Sequence, residues 1–408
     1  MKLLLLSVLL FSSCSFLFKG DHKTSNSKSS IESPYVILIS VDGLRHDYIE
    51  KYSPPTLSYL KQNGLTSESL SPIFPSKTFP NHYSIITGMY AENHGLISNS
   101  FYDKEIDRTY SLGNRKEVTD GIWYRGEPLW VTAKKNKMVS ASFFWVGSEA
   151  EINGIRPDYY FNYDGKIPGE SRVDQVIDWL KLPIKTRPHF ITLYFSEVDS
   201  AGHKYGPNSL EVKTALFNID DYIHRLLTKL APLNLPVNII LVSDHGMTEI
   251  SNNKKVILPA EILNDKNIKL VGKGALSLIY KLDSKIRDQD LMKKLRKIPN
   301  VNIFTKTNTP KRFHYQNNNR IPDFTISPEL GFYITTRDKS VSGGSHGYDP
   351  KNMDMHGVFL AFGPNIKPAK INTFENIHIY PFITKILNIK SSPFIDGKAE
   401  ILGGYVQK

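Results

Sequence analysis

An α/β fold, with a mostly parallel central sheet flanked by helices and a small inserted cap, is predicted by three features of the sequence. From Tyr35 onward, short runs of β-branched and aromatic residues alternate with longer amphipathic segments, as they do where strands alternate with the helices that cover them. The clearest runs, 35–41, 139–145, 190–195, 237–243 and 358–362, are mostly apolar throughout. Neither face of such a strand can stand in water, so most of the sheet is expected to be parallel and buried. Helical spacing returns at 172–180 and at 210–230, where Leu216, Ile219, Ile223 and Leu227 recur every three or four residues and would lay one apolar stripe on the sheet.

Residues 1–13 read as an export signal. Lys2 is followed by an apolar run over 3–11 and then Ser12, Ser13 and Cys14, and that run is too short to cross ~30 Å of hydrocarbon. Cys14 is the single cysteine of the chain, which excludes an intrachain disulfide. Its setting resembles a bacterial lipoprotein cleavage site, with Phe11 where a leucine is usual, and implies lipidation of the thiol; an ordinary cleaved signal is the alternative. The Ser-, Lys- and Asn-rich stretch that follows, to residue 33, is expected to be a flexible tether. Residues 34–408 then form the folded body. Within it 259–338 is less regular, rich in Asn, Lys and Arg and interrupted by Pro310, Pro322 and Pro328, and is expected to be an insertion or cap without a core of its own.

The 21 Phe, 21 Tyr and 4 Trp among 408 residues supply enough apolar surface to exclude general disorder. A net charge of +11 would attract any anionic partner without choosing among them. Downstream of the signal no apolar run is long enough to span a bilayer, so the mature chain is expected to be soluble or held by lipid alone.

The chemistry-bearing residues cluster after strands. Asp42-Gly43 follows 35–41, Asp199 and His203 follow 190–195, and Asp244-His245-Gly246 follows 237–243. Ligands of open α/β sheets bind beyond the carboxyl ends of the strands, where these groups would converge. Carboxylates that dense repel one another unless cations compensate, and mixed Asp and His ligation suits zinc. Taken singly, Asp42-Gly43 is commonly a turn, and Asp199 with His203 matches a helix-surface pair. His346 lies in the glycine-rich Gly343-Gly344-Ser345-His346-Gly347, which also reads as a plain turn. Thr78 stands between Pro75 and Pro80 ahead of the helix-like 83–87. It reads either as a helix cap or, if it points at a metal, as a nucleophile.

Six ordered motifs then resemble the nucleotide pyrophosphatase/phosphodiesterase family of the alkaline phosphatase superfamily. They are ILISVDGLR, FPSKTFPNHYSIITG, HGLISNSFYD, DSAGHKYGP, SDHGM and SHGYD, and the likeness runs over nearly the whole chain from Tyr35. It implies an alkaline phosphatase-like catalytic domain with two zinc ions. One zinc would take Asp42, Thr78, Asp244 and His245, and the other Asp199, His203 and His346. His346 is preferred to His356 because His346-Gly347-Tyr348-Asp349 follows the family's His-Gly-aromatic-Asp pattern. The resemblance also makes Thr78 the attacking group that becomes phosphorylated, and Asn99 a donor to a phosphoryl oxygen. Phe79 and Tyr163, with Tyr194 beside them, would hold a nucleobase. Val146 and Val198 stand where the family tends to have proline.

The implied function is zinc-dependent hydrolysis of nucleotide pyrophosphates or phosphodiesters to nucleoside monophosphates, with a small nucleotide and no specific nucleic acid as partner. The place expected for it is the periplasm or the outer membrane, or the medium if the chain is secreted. Two alternatives remain open at this point. One is a lysophospholipid- or choline-phosphate-directed diesterase on the same site, and the other is a non-catalytic lipoprotein that binds phosphate ligands.

Overall fold

The computed structural model describes residues 24–407. Residues 1–13, expected to be an export signal, and Cys14 lie outside the described residues. Eight strands form the central sheet: β1 (Tyr35–Val41), β2 (Leu65–Ser67), β3 (Ser140–Phe143), β4 (Tyr159–Tyr160), β5 (Phe190–Phe195), β6 (Val237–Val242), β7 (Phe359–Phe362) and β8 (Ala369–Ile371). Their spatial order is β8-β2-β7-β6-β1-β5-β3-β4. β1 is central, parallel to β5 on one side and to β6 on the other, and every one of its residues is buried.

β1 alternates between two apolar layers. Val36 and Leu38 face one, and Ile37, Ile39 and Val41 face the other. Helices α1 (Thr78–Thr87), α2 (Gly169–Leu180), α3 (Glu197–Tyr205) and α4 (Leu210–Leu230) surround the sheet. α2 supplies Val173, Val176 and Ile177 and α4 supplies Leu216, Ile219 and Ile223 to the second layer, while α1 supplies Tyr83, Ile85 and Ile86 to the first. Each such side chain contributes roughly 1.5–3 kcal/mol through its removal from water.

The run at 358–362 forms β7, the one strand of this sheet that is antiparallel to its neighbours, β6 and β2; the other pairings are parallel, as expected of most of the sheet. The chain reaches it from the edge where β6 ends and so must run backwards. Two expectations are corrected. Residues 26–31, expected to be part of a flexible tether, are held to the folded body. Asn26 is buried, its Nδ2 donates to Ile184 O (2.9 Å) and Arg187 O (2.8 Å), and its Oδ1 accepts from Val139 N (2.8 Å). Ser27 then caps a short helix, Lys28–Ile31.

The stretch from 259 to 338 is neither irregular nor without a core. Strands Ile268–Val271, Ser277–Lys281, Val301–Thr305 and Phe324–Pro328 form an antiparallel sheet. With helix Asp288–Leu295 it encloses Ile279, Leu291, Leu295, Phe324 and Ile326. Two of its strands, Ser277–Lys281 and Phe324–Pro328, are buried almost throughout, but each is short and the long connections rich in Asn, Lys and Arg hid the pattern.

Candidate functional site

β1, β5 and β6 are adjacent and parallel, so the three acids expected beyond them arrive at one edge. Asp42 N donates to Phe195 O (2.9 Å), and Asp199 N, in the first turn of α3, donates to Asp42 O (3.0 Å). Gly43 has φ +68°, and a Cβ there would lie 2.8 Å from Asp199 Cα. The Asp-Gly pair is therefore required for α3 to approach β1 closely. Gly43 N also donates to Asp244 Oδ1 (3.3 Å).

The histidines complete the cluster. His203 lies one turn after Asp199 on α3, with Nε2 3.4 Å from Asp199 Oδ1. His245 Nε2 is 2.9 Å from Asp244 Oδ2 and 3.4 Å from Asp42 Oδ1. His346 follows the short strand Gly344–Ser345, which pairs with Thr248–Glu249, and its ring stacks on that of His245 with centroids 3.4 Å apart. Gly347 has φ +111°, and a Cβ there would meet Lys77 Cε at 2.2 Å. That residue must be glycine for Lys77 Nζ to donate to His346 O (2.7 Å).

Each of these rings has Nδ1 beside a backbone oxygen: His203 with Gly344 O (2.9 Å), His245 with Gly246 O (2.9 Å) and His346 with Ser76 O (2.8 Å). A carbonyl only accepts, so Nδ1 carries the hydrogen and Nε2 turns its lone pair into the cluster. Asp42 Oδ1, Asp199 Oδ1 and Asp244 Oδ2 are buried there and accept no hydrogen bond. Orphaned carboxylate oxygens opposite imidazole lone pairs fit divalent cations. Two triads have their ligand atoms within 4.8 Å of one another: Asp42, Asp244 and His245, and Asp199, His245 and His346. His356 lies outside, because Ser69 Oγ (2.8 Å) and Pro350 O (2.7 Å) engage its two ring nitrogens.

Without a cation the cluster is electrostatically frustrated. Burial pushes the Asp42 carboxyl well above its ordinary range, reinforced by Asp244 and Asp199. Burial likewise raises Asp199 to about 6. Burial opposes charge on His245, but Asp244 and then Asp42 outweigh it and push the imidazole up to about 9.

Thr78 is the first residue of α1, after Lys77 at the cap position. Its hydroxyl does not cap the helix and lies 3.2 Å from His245 Nε2. The cap comes from a distant loop, where Asn99 Oδ1 accepts from Phe79 N (2.8 Å). This leaves the Asn99 amide N–H2 as a donor group in the cleft it lines. That cleft, about 400 Å³, also takes in Thr78, Asp42, Asp199, His203 and His346. Phe79 and Tyr163 border it, and Tyr163 is 43% exposed, with its ring edge-on to Phe144 at 5.0 Å. Tyr194 borders it too, and its hydroxyl donates to Asp42 Oδ2 (2.7 Å). Tyr194 therefore orients a carboxylate as well as lining the cleft.

Residues 36–349 match the model of the "Type I phosphodiesterase / nucleotide pyrophosphatase" family. The chain belongs to this family. Human ectonucleotide pyrophosphatase/phosphodiesterase family member 1 is 38% identical over 388 residues, which cover 90% of this chain and 41% of the human protein. Venom phosphodiesterase 2 of Crotalus adamanteus is 36% identical over 387 residues, 90% of this chain and 46% of the venom protein. The chain thus spans less than half the length of these relatives. Murine ectonucleotide pyrophosphatase/phosphodiesterase 5 superposes with a TM-score of 0.86 at 28% identity, covering 91% of this chain and all of that one. An inactive variant of it in complex with AMP matches over 92% of this chain, also with a TM-score of 0.86. The sheet and its helices are those of the alkaline phosphatase-like fold.

Several residues at the site of this family member escaped sequence reasoning. His82, fully buried, has Nδ1 2.9 Å from Thr78 O and 3.2 Å from Asp244 Oδ2, and Nε2 2.7 Å from Ser40 Oγ. The available signal was its position four residues after Thr78 on one helix face. Arg115 and Glu149 pair at the cleft, and Glu149 Oε1 also accepts from Tyr163 N (3.0 Å). No local pattern joins those positions, which are far apart in sequence.

Proposed function

We propose that this chain hydrolyses nucleotide pyrophosphates or phosphodiesters to nucleoside monophosphates with two zinc ions and a phospho-threonine intermediate. The observation that carries this reading is the meeting of Thr78 Oγ1, orphaned carboxylate oxygens and imidazole lone pairs at the floor of one cleft. Asp42, Thr78, Asp244 and His245 would hold one zinc, and Asp199, His203 and His346 the other. When bound, two zinc ions supply Lewis-acid polarisation of a phosphoryl oxygen and favour the deprotonated form of a bound hydroxyl.

The chain's own groups do the rest. Thr78 attacks phosphorus from the amino end of α1, whose dipole favours the anionic phosphate. The leaving group departs opposite, and water later cleaves the Thr78–phosphate ester to release the nucleoside monophosphate. Asn99 Nδ2 donates to a non-bridging oxygen as its charge grows. Tyr194 keeps Asp42 in place. Phe79 and Tyr163 give the base flat apolar surface, and the AMP complex of the murine relative supports a nucleotide as ligand.

Export, with lipidation at Cys14 and a periplasmic or outer-membrane location, belongs to the same proposal. Among the described residues no helix is long and apolar enough to cross a membrane.

The test is Thr78→Ala. We expect a folded protein that retains most of its zinc and has lost turnover of a nitrophenyl nucleotide ester; turnover at the parental rate would remove Thr78 from the mechanism.

A further inference from the structure

Asn99 lies on a loop that a distant part of the chain grips on both sides. Gly95 and Ile97 precede it and Asp103 follows it, and all three are held by the segment 313–321, which leads out of the inserted sheet's third strand. Arg320 is 3% exposed, yet its guanidinium is almost fully engaged. Nε donates to Asp103 Oδ2 (2.8 Å), Nη1 to Gly95 O (3.0 Å) and Trp123 O (2.6 Å), and Nη2 to Ile122 O (3.0 Å). Tyr315, with no exposure at all, donates from its hydroxyl to Ile97 O (3.0 Å).

The segment is itself anchored. Arg320 O accepts from the hydroxyl of Tyr280 in the strand Ser277–Lys281 (3.0 Å), and Asn318 Nδ2 donates to Glu92 O (2.7 Å). A buried ion pair is a weak source of stability, because desolvation offsets its attraction, but its directional bonds specify a geometry. Here the geometry specified is that of a loop with one catalytic candidate on it. Asn99 accepts from Phe79 N through Oδ1, so a small displacement of the loop would turn Nδ2 away from the phosphoryl oxygen.

We propose that Arg320 and Tyr315 are positioning residues that hold Asn99 in its catalytic orientation and so tie the inserted sheet to the phosphoryl-transfer step. This rests on the reading of Asn99 given under Proposed function. Neither residue touches the cleft. Their effect should fall on kcat, through a donor that strengthens in the transition state, and leave KM for the nucleotide nearly alone.

The experiment is a double-mutant cycle on the full zinc-loaded chain with a nitrophenyl nucleotide ester. Tyr315→Phe removes one hydroxyl and keeps the ring. With Asn99 present it should lower kcat about 3- to 30-fold, with KM changed by less than about twofold and zinc content unchanged. In an Asn99→Ala background the same substitution should cost nothing further, which a merely structural role would not produce. Arg320→Lys, which keeps the charge and loses the fork, should repeat the pattern. Equal losses in both backgrounds, no loss with Asn99 present, or a rise in KM at constant kcat would each overturn the proposal. If Asn99→Ala alone leaves kcat intact, the Asn99 reading fails and this proposal with it. If Asn99→Ala is slow while Tyr315→Phe and Arg320→Lys are not, only the positioning proposal fails.

Discussion

At Phe79 the ring is half-buried, edge-on to Tyr110 with centroids 6.1 Å apart, and borders the cleft. Its backbone N–H is separately tied to Asn99, so truncating the side chain should spare the start of α1 and the Thr78 hydroxyl. Stacking of a base on an aromatic face contributes about 1–3 kcal/mol. Phe79→Ala is therefore expected to raise KM for a nucleotide ester about 5- to 150-fold with a smaller change in kcat. Steady-state kinetics with matched nucleotide and choline-phosphate nitrophenyl esters would check this. A variant that handles both as the parent does would favour the lipid-directed alternative. Adjacent residues on the same turn thus divide between reaction and recognition, which explains why their order along the chain carried so much information. Tyr194 was the less legible case. Its ring borders the cleft as expected, but its hydroxyl bond to Asp42 depends on a pairing across strands that residue spacing does not encode.

Helices in this fold are held by one another as much as by their own sequences. The helix Pro55–Asn63 has no capping side chain of its own, and Asp220, buried on α4, accepts from Thr56 N (3.0 Å) and Leu57 N (2.7 Å). Asp220→Ala strands the buried Leu57 N–H and the part-buried Thr56 N–H and should cost about 1–3 kcal/mol, read as a lower denaturation midpoint, with kcat for the nitrophenyl ester unchanged because the cap is remote from the cleft. A variant of parental stability would show that water replaces the carboxylate without loss. The cap spans 163 residues of sequence, which is why no local pattern disclosed it. The strands behaved differently. β1 and β5 were legible to the residue, because a strand buried on both faces is apolar at nearly every position, Ser40 and Thr192 apart. The direction of β7 was not, since apolar content is indifferent to which way the chain runs. The inserted sheet was hidden for another reason: its strands are only four or five residues long, and the connections between them, rich in Asn, Lys and Arg, dominate the composition of the stretch and resemble loop.

For the molecule as a whole, the site was legible because parallel strands deliver their carboxyl ends to one edge, so residues far apart in sequence were bound to meet once the sheet was recognised. The same burial that makes the core leaves the protein sensitive to acid away from that site. His94 is wholly enclosed, with Nδ1 accepting from Leu96 N (3.1 Å) and Nε2 3.0 Å from Ser84 Oγ, and burial pushes its imidazole down to about 3. Tyr83 packs on it edge-on and the Arg320 charge depresses it further. His378 is pushed down to about 4 by burial and then Lys398, against a weaker pull from Glu400. Both rings are neutral in the fold and would take a proton near pH 6.5 once unfolded. Between about pH 6.5 and the folded values the unfolded chain binds more protons, so stability is complete above that range and falls as pH drops through it, by at most about 1.4 kcal/mol per unit for each ring. Thermal melts of the zinc-loaded protein from pH 7 to pH 4 should therefore show a declining midpoint. His94→Gln, which keeps a donor and an acceptor but cannot charge in this range, should decline less steeply. Equal slopes for parent and variant would mean that protonation of the metal-site carboxylates and imidazoles accounts for the acid sensitivity without His94.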